Sequence, residues 1–307
     1  MYLYHFGFKE LPFSLTPNTH FYLPSPSHAE AMQVLLTALK TGEGFIKVTG
    51  EVGTGKTLLC RKLLNEIPDA FEVAYIPNPA LSPEEMRYAL ASELGIKGLA
   101  RINQQQLSQK IQMKLVELNQ QGKGVVLIVD EAQTIPWESF EALRLFTNLE
   151  TESRKLVQVV LFGQPELDAM LASHRLRQLR QRITFSYKLR GLSKEEVAQY
   201  VHHRVAMAGH QQAGLFDQGA IALLHKYSKG VPRLVNVLSH KALMLVYGEG
   251  GTQVQKSHVR YAAKDTDSVE MTRQVSLPLN LVIGACVLTT AVLGFFISWP
   301  YITEYLK

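Results

Sequence analysis

Short continuous apolar runs alternate with stretches of helical period over the first two thirds of the chain. Phe45–Thr49, Phe71–Ile76, Val125–Val129, Val157–Phe162 and Ile183–Tyr187 read as strands. Leu58–Leu64 reads as a helix. Ser82-Pro83-Glu84-Glu85 opens another, with a cap, a first-turn proline and acids, and it ends near Gly95; Gln104–Asn119 forms a third. This alternation predicts an α/β fold with a parallel sheet covered on both faces by helices. Val125–Val129 is apolar without interruption, as a central strand must be. From Ser193 the strands stop. Ser193-Lys194-Glu195-Glu196 is a capped helix start, and helical patterns follow at about 218–227, 233–247 and 255–264. An α/β domain over 1–190 and a small all-helical domain over 191–268 are expected, joined through Leu189-Arg190-Gly191-Leu192.

The pattern changes again at the C-terminus. From Gln274 to Thr303 there is no charge, and 279–300 is long enough to cross a hydrocarbon core of ~30 Å as one helix. A juxtamembrane linker over 269–278 and a short tail over 301–307 complete this division. The alternative is a buried helix, but 281–288 and 291–297 are apolar all round, and Trp299 and Tyr301 suit a membrane interface. Lys256, Arg260, Lys264 and Arg273 precede the span and Lys307 follows it, which keeps the larger part of the chain in the cytoplasm. Met1-Tyr2-Leu3-Tyr4-His5-Phe6 lacks the pattern of a secretory signal.

The 307 residues have globular composition and a net charge of +5. Cys60 and Cys286 supply neither a disulfide framework nor a zinc spacing. The charge is uneven, because Arg175, Arg177, Arg180, Arg182, Lys188, Arg190 and Lys194 crowd one short region.

Between the first strand and its helix stands Gly50-Glu51-Val52-Gly53-Thr54-Gly55-Lys56-Thr57, followed by Leu58. Strand, Gly-rich loop and helix in that order frame a phosphate-binding site; a Gly-rich turn without function is the alternative. The glycines let backbone N–H groups turn inward, Lys56 reaches the β/γ-phosphates of a nucleoside triphosphate, and the Thr57 hydroxyl ligates Mg²⁺. Asp130-Glu131 ends the central strand, where ligands collect in open α/β sheets. Asp130 would hold Mg²⁺ through water, and Glu131 would orient or deprotonate the water that attacks the γ-phosphate. A solvated acidic turn is the rival reading of that pair. His202, His203, His210 and His240 have no metal spacing and receive no role.

Several phrases together resemble the AAA+ ATPases of the ExeA/GspA type, which serve type II secretion, and within them the mannose-sensitive haemagglutinin (MSHA) pilus biogenesis ATPases. They are Phe8-Lys9-Glu10-Leu11-Pro12-Phe13 with Thr16-Pro17, Ser27-His28-Ala29-Glu30-Ala31, the loop at 50–57, Asp130-Glu131-Ala132-Gln133, Asn148-Leu149-Glu150-Thr151, Phe162-Gly163-Gln164-Pro165-Glu166-Leu167 and Gly230-Val231-Pro232-Arg233. The resemblance implies a P-loop AAA+ sheet with a helical lid, binding ATP and Mg²⁺. It makes Gln164 the first sensor residue, against a Gln that merely precedes a helix-starting proline. Arg233 becomes a second sensor that contacts nucleotide and reports hydrolysis through the lid, against a solvated arginine at a helix start. One of Arg177, Arg180 and Arg182 becomes an arginine finger entering a neighbouring subunit, with Arg182 first choice and Arg180 second. A DNA-binding face or a solvated helix are the other readings of that cluster.

Phe6, Phe8, Phe13, Phe21 and Tyr22, with His28, match the family segment that lines the adenine pocket; taken alone they read as core. Pro17-Asn18-Thr19-His20-Phe21 departs from the Asp-Pro of relatives. Family members also carry a large domain beyond the membrane, in place of the short tail here, which argues against direct cell-wall contact. The resemblance therefore implies an ATPase in the bacterial inner membrane, single-pass with its body in the cytoplasm, that assists assembly of a type IV (MSHA-like) pilus or type II secretion machine. Its partners would be copies of itself, a hexameric ring being one arrangement, inner-membrane assembly proteins, and lipid around the C-terminal helix. Nucleic acid is not an expected partner. A DNA-dependent regulator of the transposition type and a slow nucleotide-gated scaffold are the alternatives.

Overall fold

Five strands, β1 (Phe45–Thr49), β2 (Phe71–Ile76), β3 (Gly124–Val129), β4 (Val157–Gly163) and β5 (Ile183–Lys188), pair in the order β2-β3-β4-β1-β5, every pair parallel. The structure is a computed structural model and describes residues 2–15, 21, 23–150, 155–212, 214–267 and 269. β4 lies in the middle and is buried along its whole length, whereas edge strand β5 alternates half-buried and exposed residues. That difference is the one expected between strands covered on both faces and a strand at the rim.

The strand residues divide between two cores by the two-residue pleat. Val125, Leu127 and Val129 of β3 and Val157, Val159 and Leu161 of β4 face one core with α4 (Pro83–Glu93), α5 (Gln104–Gln120) and α6 (Trp137–Phe146). Val126, Ile128, Val160 and Phe162 face the other, with α2 (Pro26–Lys40) and α3 (Lys56–Glu66). Each fully buried Leu, Val or Phe stabilises this sandwich by roughly 1.5–3 kcal/mol. Capping boxes start α4 at Ser82 and α5 at Asn103. Two further helices, α7 (Pro165–Ala172) and α8 (Arg177–Arg180), bridge β4 to β5.

The helical part comprises α9 (Lys194–Met207), α10 (Gln218–Ser228), α11 (Pro232–Gly248) and α12 (Lys256–Lys264), with a capping box at Ser193. Its core contains Val197, Val201, Leu224, Val235, Leu238 and Val259, and also Tyr2, Phe6, Phe8, Phe13 and Phe21. The sequence grouping of 1–190 as one domain therefore differs from the packing: the first residues, including α1 (Leu3–Phe6), belong by contact to the helical core. Buried Arg204 on α9 fastens them there. Its Nε donates to the Pro12 carbonyl at 2.6 Å, Nη2 reaches the Ser14 carbonyl at 3.5 Å, and the guanidinium lies 4.8 Å from the Phe21 ring centre. Residues Met1–Val269 cluster as one unit by contact.

Gly191 and Gly230 make the junction to the lid close. The Leu192 N–H donates to the Gly230 carbonyl at 2.8 Å, and a Cβ on Gly230 would lie 2.1 Å from the Leu192 carbonyl oxygen. Among the described residues no helix is long and apolar enough to cross a membrane. The expected span at 279–300, its tail and nearly all of its linker lie outside the described residues, as do Tyr22 and the 16–20 segment.

Candidate nucleotide site

Parallel pairing brings the ends of β1, β3 and β4 to one edge of the sheet. Thr49 pairs with Gly163, and the Gly50 N–H donates to the Gly163 carbonyl at 3.2 Å, so the Gly-rich loop starts beside Gln164. Gly53 (φ +84°) and Gly55 (φ +93°) adopt left-handed backbone that residues with side chains disfavour. Gly55 is the N-cap of α3 and offers no side chain to the first helical N–H groups. Those N–H groups and the positive end of the helix dipole make an anion site.

Lys56 is 5% exposed, and its Nζ donates to the carbonyls of Gly50 at 2.8 Å and Glu51 at 3.0 Å. Burial pushes its pKa below the usual lysine range, while the carboxylates of Glu131, Asp130, Glu51 and Glu166 pull the other way. Asp130, 3% exposed, shows the reverse: burial raises its pKa, opposed by the Glu131 N–H at 2.9 Å and by the Thr57 hydroxyl. A buried cation and a buried anion thus stand together with their desolvation incompletely offset. Each would be relieved by a ligand of opposite charge, phosphate for Lys56 and a divalent cation for Asp130.

Glu131 has left-handed backbone (φ +51°) without being glycine. Its Oε2 accepts from Gln164 Nε2 at 3.1 Å and also from Gln133 Nε2. The Gln133 side-chain oxygen in turn accepts from the Gln164 N–H at 3.0 Å. Gln133 therefore ties the glutamate to Gln164 through both ends of its amide. Sequence reasoning assigned it no role, although it stands two residues after Glu131 in a phrase already singled out.

Arg233, at the start of α11, meets the loop directly. Its N–H reaches the Gly53 carbonyl at 3.4 Å, and a Cβ on Gly53 would fall 2.5 Å from its own Cβ. The arginine-finger candidates separate. Arg182 is half-buried, and its Nη1 donates to the side chains of Asn148 and, at 3.3 Å, Thr147. Arg177 and Arg180 are exposed on α8, and their side chains make no hydrogen bond or ion pair among the described residues. Arg175 lies over the Trp137 ring at 5.0 Å.

The residues present fit a magnesium nucleotide. Gly50, Glu51, Val52, Gly53, Thr54, Gly55 and Leu58 would surround the phosphates with Lys56, and the exposed Thr57 bonds through its hydroxyl to Asp130. Among the described residues no group of three or more His, Cys, Asp or Glu side chains could hold a metal alone, so Mg²⁺ would be shared with phosphate oxygens. Bound Mg-ATP would supply the γ-phosphoryl group and the charge that Lys56 and Arg233 would neutralise. Glu131 would accept a water proton, and Gln164, which donates to its carboxylate, would hold it in position.

A parallel α/β sheet with this loop, an acidic pair on the neighbouring strand end and a helical lid define a P-loop ATPase fold of the AAA type. Residues 39–171 match the AAA domain family. The chain is 39% identical over 309 residues to general secretion pathway protein A of Aeromonas hydrophila; the match covers 98% of this chain and 56% of that protein. The chain thus spans about half the length of the curated relative it matches. The chain is thus similar to the AAA domain family over 39–171 and to general secretion pathway protein A over nearly its whole length. Among solved structures, Aeropyrum pernix ORC2 aligns with TM-score 0.58 at 16% identity, covering 86% of this chain and 74% of that one. CDC6p of Pyrobaculum aerophilum aligns with TM-score 0.59 at 17% identity, covering 83% and 70%. At such identities the likeness is one of fold.

Proposed function

We propose that the chain is a membrane-anchored AAA+ ATPase that binds and hydrolyses Mg-ATP between its α/β body and helical lid, and that its cycle assists assembly of a type II secretion machine or a type IV pilus of the MSHA kind. The observation that carries the enzymatic part is the convergence of Lys56, Asp130 and Glu131 with Gln164 at one sheet edge, with Arg233 on the loop. The likeness to general secretion pathway protein A supports the secretion context. The uncharged stretch from Gln274 to Thr303 supports a single-pass anchor in the inner membrane, with the ATPase body in the cytoplasm. In this reading Gln164 and Arg233 sense the nucleotide. An arginine of the 177–182 region completes the site of an adjoining copy in a homo-oligomer.

The test is capture in the ATP-bound state. Full-length Glu131→Gln protein is solubilised from membranes with Mg-ATP, and its companions are compared with those of Lys56→Ala. Inner-membrane pilus or secretion components enriched in the Glu131→Gln sample are expected. DNA or a recombinase in their place would overturn the envelope-assembly reading in favour of a DNA-dependent regulator.

A further inference from the structure

His28 stands at the back of the Gly-rich loop. It lies in the first turn of α2, where its N–H donates to Ser25 Oγ at 3.2 Å, and it is 8% exposed. Its Nε2 is 2.9 Å from the Thr54 carbonyl oxygen, in a fully buried contact. A carbonyl can only accept, so Nε2 carries the hydrogen. The ring also comes close to the next residue: a Cβ on Gly55 would fall 2.9 Å from His28 Cε1 and 3.0 Å from Nε2. Gly55 is thus required twice, for its φ of +93° and for the approach of the imidazole.

The consequence follows from peptide geometry. In a planar trans peptide the C=O and the N–H point in opposite directions. Anchoring the Thr54 carbonyl on His28 therefore turns the Gly55 N–H away from the imidazole. That N–H donates to no backbone carbonyl among the described residues. The first turn of α2 is itself held from another side, because Ser27 Oγ accepts from the Arg190 N–H at 3.2 Å and lies 3.3 Å from the Tyr187 hydroxyl. The brace is consequently fixed to the end of β5 and the strap leading to the lid. Burial, with Lys62 near by, holds the imidazole pKa below its usual value, against the opposing pull of the Thr54 carbonyl. This shift favours the neutral ring, whose Nε2–H is committed to the loop.

We propose that His28 is a positioning residue of the phosphate loop: through its Nε2–H it sets the Thr54–Gly55 peptide so that the Gly55 N–H is presented to a bound polyphosphate. This rests on the nucleotide-site reading above and departs from the family expectation that His28 lines the adenine pocket. The two assignments differ in what they recognise. A brace on the loop acts on phosphates whatever base they carry, whereas an adenine contact acts on the base.

Full-length wild type, His28→Leu and His28→Gln are titrated with Mg-ADP and, separately, with inorganic tripolyphosphate plus Mg²⁺, and their melting temperatures are measured without ligand. Leucine fills the site without a donor; the glutamine amide nitrogen sits about where Nε2 does. The expected result is that His28→Leu weakens both ligands by a similar factor of about 10, and that His28→Gln recovers most of the loss. The inference is overturned if His28→Leu binds both as wild type does, or if it loses Mg-ADP but keeps tripolyphosphate, which would place His28 at the base. It is overturned equally if His28→Gln is as weak as His28→Leu, since packing and not the donor would then be at work. Wild type that binds neither probe would remove the nucleotide reading itself, and this inference with it.

Discussion

The Arg233 N–H reaches the Gly53 carbonyl at 3.4 Å, and a Cβ placed on Gly53 would lie 2.5 Å from the Cβ of Arg233. The lid helix therefore begins on the phosphate loop itself, and only the bare backbone of residue 53 admits it. Gly53→Ala faces two penalties, the strain of a side chain at φ +84° and the displacement of α11. A loss of about 1–3 kcal/mol in urea unfolding is expected, with weaker Mg-ATP binding in the same preparation. Arg233→Ala is the contrasting case. Its side chain is exposed, so stability should stay within about 0.5 kcal/mol of wild type while steady-state turnover falls about 10-fold or more.

Lys56 and Glu131 should separate binding from hydrolysis. Lys56→Ala removes the buried ammonium that faces the loop carbonyls, and no saturable nucleotide binding should remain in calorimetry. Glu131→Gln retains shape and loses the base. Affinity for Mg-ATP should persist while phosphate release slows by about 10² or more. Equal turnover in wild type and Glu131→Gln would end the assignment of Glu131 as the base.

Much of this site was legible in the sequence because its chemistry is local. The loop at 50–57 and Asp130-Glu131 are contiguous, and each follows an apolar run bounded by glycine or turn residues, so the strand ends were placed within about a residue. What escaped is what depends on distant segments meeting. The Gln133 bridge needs β3 and β4 side by side, and the grip of Arg204 on Pro12 joins residues 192 positions apart. Helix α2 was missed for a different reason. Its buried Ala31, Met32, Leu35, Ala38 and Leu39 follow the helical period, so the signal was present but overshadowed by the motif within it. Phe6, Phe8, Phe13 and Phe21, matched by resemblance to a segment that lines the adenine pocket, are buried in the lid core. Taken without the resemblance, these aromatics read as core.

Asp130 gives a pH dependence with a defined sign. Burial raises its pKa above 3.8, so the folded protein holds this proton more tightly than the unfolded chain does. The stability from the protonated form is complete below the unfolded pKa and is lost as pH rises through the folded one. At neutral pH the ionised carboxylate therefore costs stability in the protein without nucleotide. Asp130→Asn should melt at a higher temperature than wild type at pH 7, with the gap closing as pH falls. The same variant should lose the Mg²⁺ dependence of its nucleotide affinity.

The arginines of the 177–182 region can be ranked by mixing copies. Arg182 is engaged with Asn148 and Thr147 inside its own chain, whereas Arg177 and Arg180 are exposed. An arginine finger acts on the neighbour, so a finger variant keeps its own nucleotide affinity and lowers turnover only in the assembled protein. Arg182→Ala is expected to do this. Mixing it with Lys56→Ala should restore activity, because each copy supplies what the other lacks. Recovery with Arg180→Ala and none with Arg182→Ala would move the role to Arg180.

Arg204 should prove structural and sharply selective for its own chemistry. Its guanidinium serves the Pro12 and Ser14 carbonyls and the Tyr200 hydroxyl, the last at 2.8 Å, while lying between the rings of Phe21 and Tyr200. Removing it leaves those oxygens without their donor in a region that is mostly buried. Arg204→Ala should lower stability by about 2–4 kcal/mol. Arg204→Lys should recover little, since one ammonium cannot reproduce a planar fork that bonds on several sides. Because Tyr2, Phe6, Phe8 and Phe13 share the core that this arginine closes, limited proteolysis of either variant should cut first within residues 2–15. If the N-terminal segment stays protected while the urea midpoint drops, Arg204 stabilises α9 rather than the clamp.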